Sequence, residues 1–269
     1  MSRKILMAVG AHADDIEFGA GGTISKYLEK GYSLVYVLST DNMSGNWSSL
    51  DCAGKLSSRP VSWREIYPQR KLEAGRAAEH FGTHAIHLNH PQRHYLNENL
   101  EKVELRWGAP RPECVPENVP SILTAHEDPA SISVLARLIE EHQPEAVLTH
   151  DLIQSDMEHV GTSLLVTKAA RRAKYDGWLL LWPSVNETDC GEIYASRQTY
   201  IDISACYEKK MEALRIHACQ IPTTKHFTFR QFESGTGCAH VEAFAIAKGP
   251  ESDTPFEFTQ EILKNIRKE

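Results

Sequence analysis

Apolar runs typical of buried strands alternate with helical patterns from the start of this 269-residue chain to about residue 182. Consecutive apolar residues predict strands that are buried on both faces, and helices between such strands are typical of a parallel sheet. The predicted strands are 4–11, 32–39, 84–89, 144–149 and 178–182, and the predicted helices are 18–30, 67–81, 128–142 and 159–174. This alternation predicts an α/β, Rossmann-like fold, a mostly parallel sheet with helices on both faces.

Two long stretches, 41–66 and 91–127, interrupt the alternation and are predicted to be irregular insertions. Loops of this length in compact domains usually have a function or are mobile. Beyond a core of about residues 4–182, a C-terminal extension of about 183–250 is less regular and is predicted to be α+β. Its predicted elements are strand 199–203, helix 205–217 and strand 241–247. Because no repeat or linker divides the sequence, we predict a single domain over residues 1–269.

Charge and cysteine content argue against several classes of function. The chain has 29 Lys and Arg against 36 Asp and Glu, a net charge of −7, which disfavours non-specific binding to nucleic acid or to an anionic membrane. No apolar stretch is long enough to span a bilayer. The 6 cysteines are scattered without a Cys-x-x-Cys pair, which predicts a reduced, cytoplasmic protein rather than a disulfide scaffold.

A histidine and two aspartates follow the first predicted strand, in the stretch Ala11-His12-Ala13-Asp14-Asp15-Ile16-Glu17. The carboxyl edge of a parallel sheet is where such folds bind ligands. Hydrolytic zinc sites use histidine and carboxylate ligands and lower the pKa of a bound water to about 7, and a second carboxylate can then move protons. We therefore predict that His12 and Asp15 hold a metal ion and that Asp14 is a general base. Alternatively, both aspartates cap the following helix.

A second group of potential ligands follows the fourth predicted strand. In the strand order 3-2-1-4-5 the first and fourth strands are neighbours, so both groups are expected to meet in one crevice. We predict His159 as the third metal ligand, because it opens the next helix. His150 is expected to orient a carboxylate or line the pocket, or to be an ordinary strand-end histidine. Asp156 and Glu158 could instead cap the helix that starts near His159, and for Glu158 capping is the favoured interpretation.

The first motif, followed by Gly19-x-Gly21-Gly22-Thr23, resembles the LmbE-like, or PIG-L-type, zinc N-deacetylases. The resemblance runs from about residue 4 to 247. Its less specific matches are Arg70-x-x-Glu73, Asp156-Met157-Glu158-His159, Lys210-x-x-Ala213-x-x-x-His217-x-x-Gln220 and Val241-Glu242-Ala243-Phe244. The resemblance implies zinc held by His12, Asp15 and His159, with Asp14 as general base. It also implies hydrolysis of an acetamide on a glucosamine-type sugar, or of a related amide.

The chain departs from this family pattern at two positions. Ala13 stands where the family usually has proline, a change expected only to loosen the turn. Asp156 stands where the family has its first signature histidine, which is thought to steady the oxyanion or protonate the leaving group. A negative carboxylate has the wrong sign for that role unless it is protonated, so Asp156 is predicted to be catalytic in that form. Otherwise another group, such as His150 or His217, takes the role, or the activity differs from the family norm. Glu158, where the family has aspartate, is expected to have a supporting role.

The expected function is that of a metal-dependent hydrolase that removes an acetyl group from an N-acetylglucosamine-type sugar conjugate. Zn2+ is the expected cofactor, although these ligands also accept Fe2+ or Mn2+. Arg70 is expected to bind substrate hydroxyls or phosphate, or to pair with Glu73 on the helix surface. A homo-oligomer is possible. The alternatives are an amidase on a non-sugar amide and an impaired sugar- or nucleotide-binding member, in which the Gly19-x-Gly21-Gly22 run cradles phosphate.

Overall fold

The computed structural model describes residues 4–105, 115, 118–152, 156–183, 198–221 and 237–248. The strands are β1 Ile5–Gly10, β2 Ser33–Thr40, β3 Asn46–Leu50, β4 Leu56–Pro60, β5 Ala85–His90, β6 His94–Leu96, β7 Lys102–Glu104, β8 Ala146–His150, β9 Trp178–Trp182, β10 Gln198–Asp202 and β11 Val241–Lys248. The helices are α1 Asp15–Glu29, α2 Trp63–His80, α3 Ile122–Ala125, α4 Pro129–His142, α5 Met157–Arg172 and α6 Tyr207–Ile216, and a 3-10 turn, Ser204–Cys206, precedes the last of them.

A seven-stranded sheet organises these elements, in the order β10-β11-β9-β8-β1-β2-β5. The five strands from β9 to β5 are parallel, and β11 is antiparallel to both of its neighbours. The predicted α/β fold is confirmed, including the order 3-2-1-4-5 of the five parallel strands. Because β1 pairs with β8 on one side and β2 on the other, the segments that follow these three strands meet at one edge.

Apolar side chains are buried on both faces of the sheet, which explains why its strands lack polar alternation. In β1, Leu6 and Ala8 contribute to one core cluster, whereas Met7 and Val9 contribute to the other. The first cluster includes side chains of α1, α2 and α6, and the second includes side chains of α4 and α5. Helices therefore cover both faces and fix the edge where the chain turns from β1 into α1.

Several boundaries differ from the prediction. The stretch 41–66 contains the antiparallel hairpin of β3 and β4, and the stretch 91–127 contains β6, β7 and α3. α2 begins at Trp63 and not at residue 67. A start at residue 67 would place Pro68 in the first turn, where proline is commonest, but this proline lies inside the helix. The exposed hairpin escaped prediction because strand periodicity arises from a buried face, which β4 lacks.

The C-terminal elements complete the same sheet. β11 pairs with β9 and β10, while α6 packs against α1 and α2. Extension of the domain over all of residues 1–269 stays a prediction. In the part of the chain that is described, none of the helices combines the length and the apolar character needed to cross a bilayer.

Candidate metal centre and active site

The turn between β1 and α1 presents the two predicted aspartates in different ways. Asp14 occupies the N-cap position of α1 with φ 117° and ψ −26°, and its side chain makes no capping hydrogen bond. N-cap residues usually have extended backbone, so this conformation is unusual. The Asp15 carboxylate accepts a hydrogen bond from the His12 backbone N–H at 2.6 Å, which turns it toward the imidazole ligands and not toward the helix amides. The capping alternative for Asp14 is therefore wrong.

The side chains of His12, Asp15 and His159 converge at the carboxyl edge of the sheet. His159 Nε2 lies 3.2 Å from His12 Nδ1 and 3.3 Å from Asp15 Oδ1. One ligand atom from each residue falls within 4.8 Å of the others. Two imidazole nitrogens and one carboxylate oxygen are a donor set typical of hydrolytic zinc sites, so these residues could hold a divalent metal ion.

Glu158 fixes the orientation of His12. Its carboxylate lies 2.5 Å from His12 Nε2 and also accepts hydrogen bonds from the Gln92 side chain at 2.9 Å and the Arg93 backbone N–H at 2.6 Å. Burial raises the pKa of Glu158, but the hydrogen bond and charge of His12 outweigh it and bring the pKa to about 2. Because an ionised carboxylate only accepts, His12 Nε2 is protonated and Nδ1 is left to face His159.

The prediction that Glu158 caps α5 is consequently wrong. Asp156 is the N-cap residue and accepts a hydrogen bond from the Glu158 backbone N–H at 2.8 Å. Both residues are acidic and near the helix start, so local sequence favours either as a cap. Only the packing of α5 beside β1 decides that Glu158 points inward to His12.

Protons compete with metal for the ligand positions. Burial lowers the pKa of His12, but Asp15 and Glu158 raise it more, to about 10. Burial raises the pKa of Asp15, yet the imidazoles of His159, His150 and His12 bring it well below the usual range. The carboxylates thus favour a cation between these side chains, and a metal ion would replace a proton there.

His150, predicted as a catalytic residue, is buried behind the ligands. Its Nδ1 accepts from Trp182 Nε1 at 3.1 Å, and its Nε2 lies 3.1 Å from Asp15 Oδ2 and 3.0 Å from the Ala11 backbone N. Burial, and then the charge of His159, lower its pKa to about 4, so the ring is neutral. Its ring also stacks on that of His159, with centroids 4.0 Å apart. These contacts orient two ligands, and contact of His150 with substrate stays a prediction.

Asp14 lies beside the ligands without joining them. Its side chain is only 16% exposed, and the nearest guanidinium nitrogen of Arg70 is 3.7 Å away. Burial raises the pKa of Asp14, Arg70 lowers it and Asp15 raises it, with a net value of about 6. A partly buried carboxyl at this position can exchange a proton with a molecule held at the three predicted ligands.

Arg70 is buried and bonded to backbone. Its two terminal nitrogens donate to Ser44 O at 2.7 Å and Ala13 O at 2.9 Å. The alternative of a surface ion pair with Glu73 is wrong, because Glu73 is itself buried and accepts from the Cys219 backbone N–H at 3.0 Å. Substrate binding by Arg70 stays a prediction.

His217 is a candidate to take the role of the signature histidine, and Asp156 stands at the position of that histidine. His217 is fully buried, with Nε2 3.1 Å from Glu17 Oε2, and a catalytic role for it stays a prediction. Asp156 is 32% exposed and lies 3.8 Å from the Arg93 guanidinium. Its catalytic role stays a prediction.

The glycine run does not form a phosphate cradle. It lies inside α1, where a side chain at Gly19 would come within 2.5 Å of the Trp182 ring and one at Gly22 within 2.6 Å of Ile203. The backbone N–H groups of Gly22 and Thr23 donate to the Glu242 carboxylate at 2.9 and 2.7 Å. The prediction of a phosphate cradle is wrong, since close packing and an internal carboxylate explain these glycines.

Comparison with known proteins gives this arrangement a family. The sequence model of the PIG-L family, described as GlcNAc-PI de-N-acetylase, matches residues 7–170. The chain belongs to the PIG-L family. The match covers the segments that contain all three ligand residues and Asp14, which confirms the resemblance stated from the motifs.

Named relatives of this PIG-L protein include sugar deacetylases. It is 23% identical to the 1D-myo-inositol 2-acetamido-2-deoxy-alpha-D-glucopyranoside deacetylase of Mycobacteroides abscessus, over 96% of this chain and 97% of that protein. It is 33% identical to the diacetylchitobiose deacetylase of Thermococcus kodakarensis, but over only 31% of this chain and 28% of that one.

Solved structures support the fold. The N,N'-diacetylchitobiose deacetylase of Pyrococcus horikoshii superposes with a TM-score of 0.59 at 20% identity, covering 95% of this chain and 88% of that chain. A 4-carboxy-2-hydroxymuconate hydratase from Pseudomonas putida superposes with a TM-score of 0.62 at 17% identity, covering 94% and 100%. Because one of these neighbours is a hydratase, the PIG-L fold alone does not fix the reaction.

Proposed function

We propose that this protein is a metal-dependent N-deacetylase that removes the acetyl group from an N-acetylglucosamine-type sugar conjugate. The observation that supports it most is the convergence of His12, Asp15 and His159 beside the partly buried carboxyl of Asp14. Membership of a family described as a de-N-acetylase supports the same reaction. So does a relative that matches over almost its whole length and is named as the deacetylase of an acetamido sugar.

The donor set fits zinc, and Fe2+ is an alternative that the same ligands accept. Nδ1 of His12, Nε2 of His159 and the carboxylate of Asp15 are the atoms that would hold it. A divalent ion held there would polarise both a water molecule and the substrate carbonyl.

Asp14 takes the proton of the attacking water as the new C–O bond forms at the carbonyl carbon. It then delivers that proton to the nitrogen as the C–N bond breaks, so the products are acetate and a free amine. His150 and Glu158 hold the ligands Asp15 and His12 in place throughout.

One observation favours a second candidate, a sugar-binding family member with impaired turnover. Asp156 stands where the family resemblance expects a histidine, and it is a helix cap beside Arg93. If this change removes transition-state stabilisation, the protein would bind N-acetylated sugars with little hydrolysis. A third candidate is an amidase on a non-sugar amide, which is tested by including such amides among the assayed substrates. The cytoplasmic location and homo-oligomer expected from sequence stay predictions.

The test combines metal analysis with an assay of amine release. Protein purified without added metal is expected to contain about one divalent ion per chain, and to release amine from N-acetylglucosaminyl compounds but not from simple acetamides. Removal of the metal with a chelator should abolish release, and Zn2+ should restore it. His159→Ala should show neither metal retention nor restoration.

Three outcomes separate the candidates. Saturable sugar binding without amine release supports the impaired binding protein. Release from non-sugar amides alone supports the amidase. If the wild-type protein binds no divalent ion at about micromolar concentration, the metal-dependent proposal is overturned.

A further inference from the structure

The turn that presents Asp14 has a backbone conformation that needs external support. Asp14 has φ 117°, a region that residues other than glycine rarely adopt. Such conformations persist only where surrounding contacts determine them, and they are concentrated at functional sites. Ala13 precedes it, and an alanine places no covalent restraint on φ, unlike a proline.

Two side chains from other elements bind the backbone of Ala13 on both sides. The Ala13 N–H donates to Asn42 Oδ1 at 2.8 Å, in a buried hydrogen bond. The Ala13 C=O, which belongs to the peptide bond leading into Asp14, accepts from Arg70 Nη2 at 2.9 Å. The peptide groups on either side of Ala13 are therefore held in orientation by Asn42 and Arg70.

Both side chains are themselves anchored. Asn42 follows β2 with φ 60°, a left-handed conformation that asparagine tolerates, and its Nδ2 donates to Thr40 O at 3.3 Å. That bond orients the amide so that its oxygen faces Ala13. Arg70 donates through its other terminal nitrogen to Ser44 O at 2.7 Å. The segment after β2 and the middle of α2 thus meet on the turn.

We propose that Asn42 and Arg70 form a clamp on the Ala13 backbone that positions the Asp14 carboxyl for proton transfer. The clamp performs the restraint that a proline at position 13 would provide covalently, so Ala13 need not loosen the turn. Arg70 is then a positioning residue. This inference rests on the proposed function only in taking Asp14 as the base.

Asn42→Gly is the sharpest variant, because glycine keeps the left-handed backbone and deletes the acceptor of the Ala13 N–H, together with the Nδ2 hydrogen bond to Thr40 O. Its kcat is expected to fall about tenfold or more, since small misplacement of a reacting group is costly, whereas KM and zinc affinity stay within about threefold. Asn89→Gly is the matched control: Asn89 has φ 57° at the end of β5 but is exposed, so its kcat should be unchanged.

Rescue by proline distinguishes positioning from general damage. Ala13→Pro removes the N–H that Asn42 accepts and fixes φ, so adding Asn42→Gly to it should change kcat by less than about twofold. A full further loss in the double variant would show that Asn42 acts elsewhere, and would overturn the clamp.

A measurement without substrate keeps the clamp testable if Ala13→Pro fails to fold or if no substrate is found. Hydrogen exchange of the Ala13 amide should accelerate about tenfold or more in Asn42→Gly and not in Asn89→Gly, because local protection follows the hydrogen bond. Accelerated exchange in a protein that hydrolyses no acetamide would leave the clamp standing and the proposed function refuted. Unchanged exchange, or accelerated exchange with an unchanged kcat in an active enzyme, overturns the positioning role.

Discussion

Two groups of buried charges contact α1, and they are neutralised in different ways. The site cluster is His12, Asp14, Asp15, Glu158 and His159, and the support cluster is Glu17, Lys210, His217 and Glu242. In the support cluster, Lys210 and Glu242 form an ion pair of 2.6 Å, and Lys210 also donates to Phe18 O at 2.7 Å. Its carboxylates therefore have a cationic partner within the chain.

The site cluster has no such internal balance at its centre. Among the described residues, the only groups capable of positive charge within 4.0 Å of the Asp15 carboxylate are the imidazoles of His12, His150 and His159. An imidazole can exchange its proton for a metal ion, whereas a buried lysine ammonium cannot ligate while charged. Burial of charge alone therefore does not indicate a functional site. The convergence of three imidazoles on the one carboxylate of Asp15 does.

The largest expected effect is on catalysis, at Asp14. Asp14→Asn removes the proton acceptor while preserving shape, so kcat should fall by about 10²–10⁴-fold, the usual contribution of general acid–base catalysis. Zinc affinity, measured by competition with a chromophoric chelator, should change little because Asp14 is not a ligand. Glu17→Gln, a carboxylate of the support cluster, is the control for loss of a nearby charge. Full activity in Asp14→Asn would exclude it as the base.

The next largest effect is on folding, at Lys210. Lys210→Met leaves the Glu242 carboxylate buried and uncompensated, which should lower the free energy of unfolding by about 3–5 kcal/mol in urea titrations. Adding Glu242→Gln removes the stranded charge but keeps an acceptor for the amides of Gly22 and Thr23, so most of the loss should be recovered. Lys209→Met, at an exposed ion pair with Glu29, should have a small effect.

Metal affinity per folded molecule should be the same in Lys210→Met and in wild type. A selective loss of zinc binding in that variant would erase the distinction between the two clusters, because it would make the ion pair part of the site.

The order of the five parallel strands and the meeting of His12 with His159 were predictable from sequence. Both depend on rules that act over whole elements: continuous apolar runs, and the neighbouring positions of the first and fourth strands. The orientation of Glu158 was not predictable, since an acidic residue at a helix start fits a cap and a contact with His12 equally well. Only the packing of α5 against β1 distinguishes them.

Asn42 was missed although sequence contained an indication. Thr40-Asp41-Asn42 also follows a strand at the same carboxyl edge, as the two ligand groups do. An asparagine that accepts a hydrogen bond from a backbone N–H is not among the residue types that indicate a metal site. The burial of Lys210 was hidden for a different reason, because a lysine on an amphipathic helix usually faces solvent.

A moderate effect is expected at Glu158, within the site cluster. Glu158→Gln weakens the acceptor that holds His12 Nε2–H, so zinc affinity should fall about 10–100-fold, as for other outer carboxylates of metal sites. Asp156→Asn is the matched control on the same helix turn, because asparagine caps equally well. Its zinc affinity should equal that of wild type. Equal losses in both variants would assign the effect to the start of α5 and not to the contact with His12.

The smallest expected effect is a pH dependence in the support cluster. Burial lowers the pKa of His217, but Glu17, Asp14 and Glu73 raise it, and the net shift is upward. A folded pKa above the unfolded value means that the extra stability is complete below pH 6.5, the unfolded value, and is lost as pH rises through the folded pKa. The difference in unfolding free energy between wild type and His217→Gln should therefore shrink as pH rises from about 6 to about 8.5, a range that ends about two units above the unfolded pKa.

The control for that measurement is His84→Gln, because His84 is exposed. Its difference from wild type should stay flat over the same pH values. A difference for His217→Gln that stays constant, or grows, with rising pH would mean that the imidazole is neutral beside Glu17. The support cluster would then hold an uncompensated carboxylate of its own, and the contrast with the site cluster would rest on the Lys210–Glu242 pair alone.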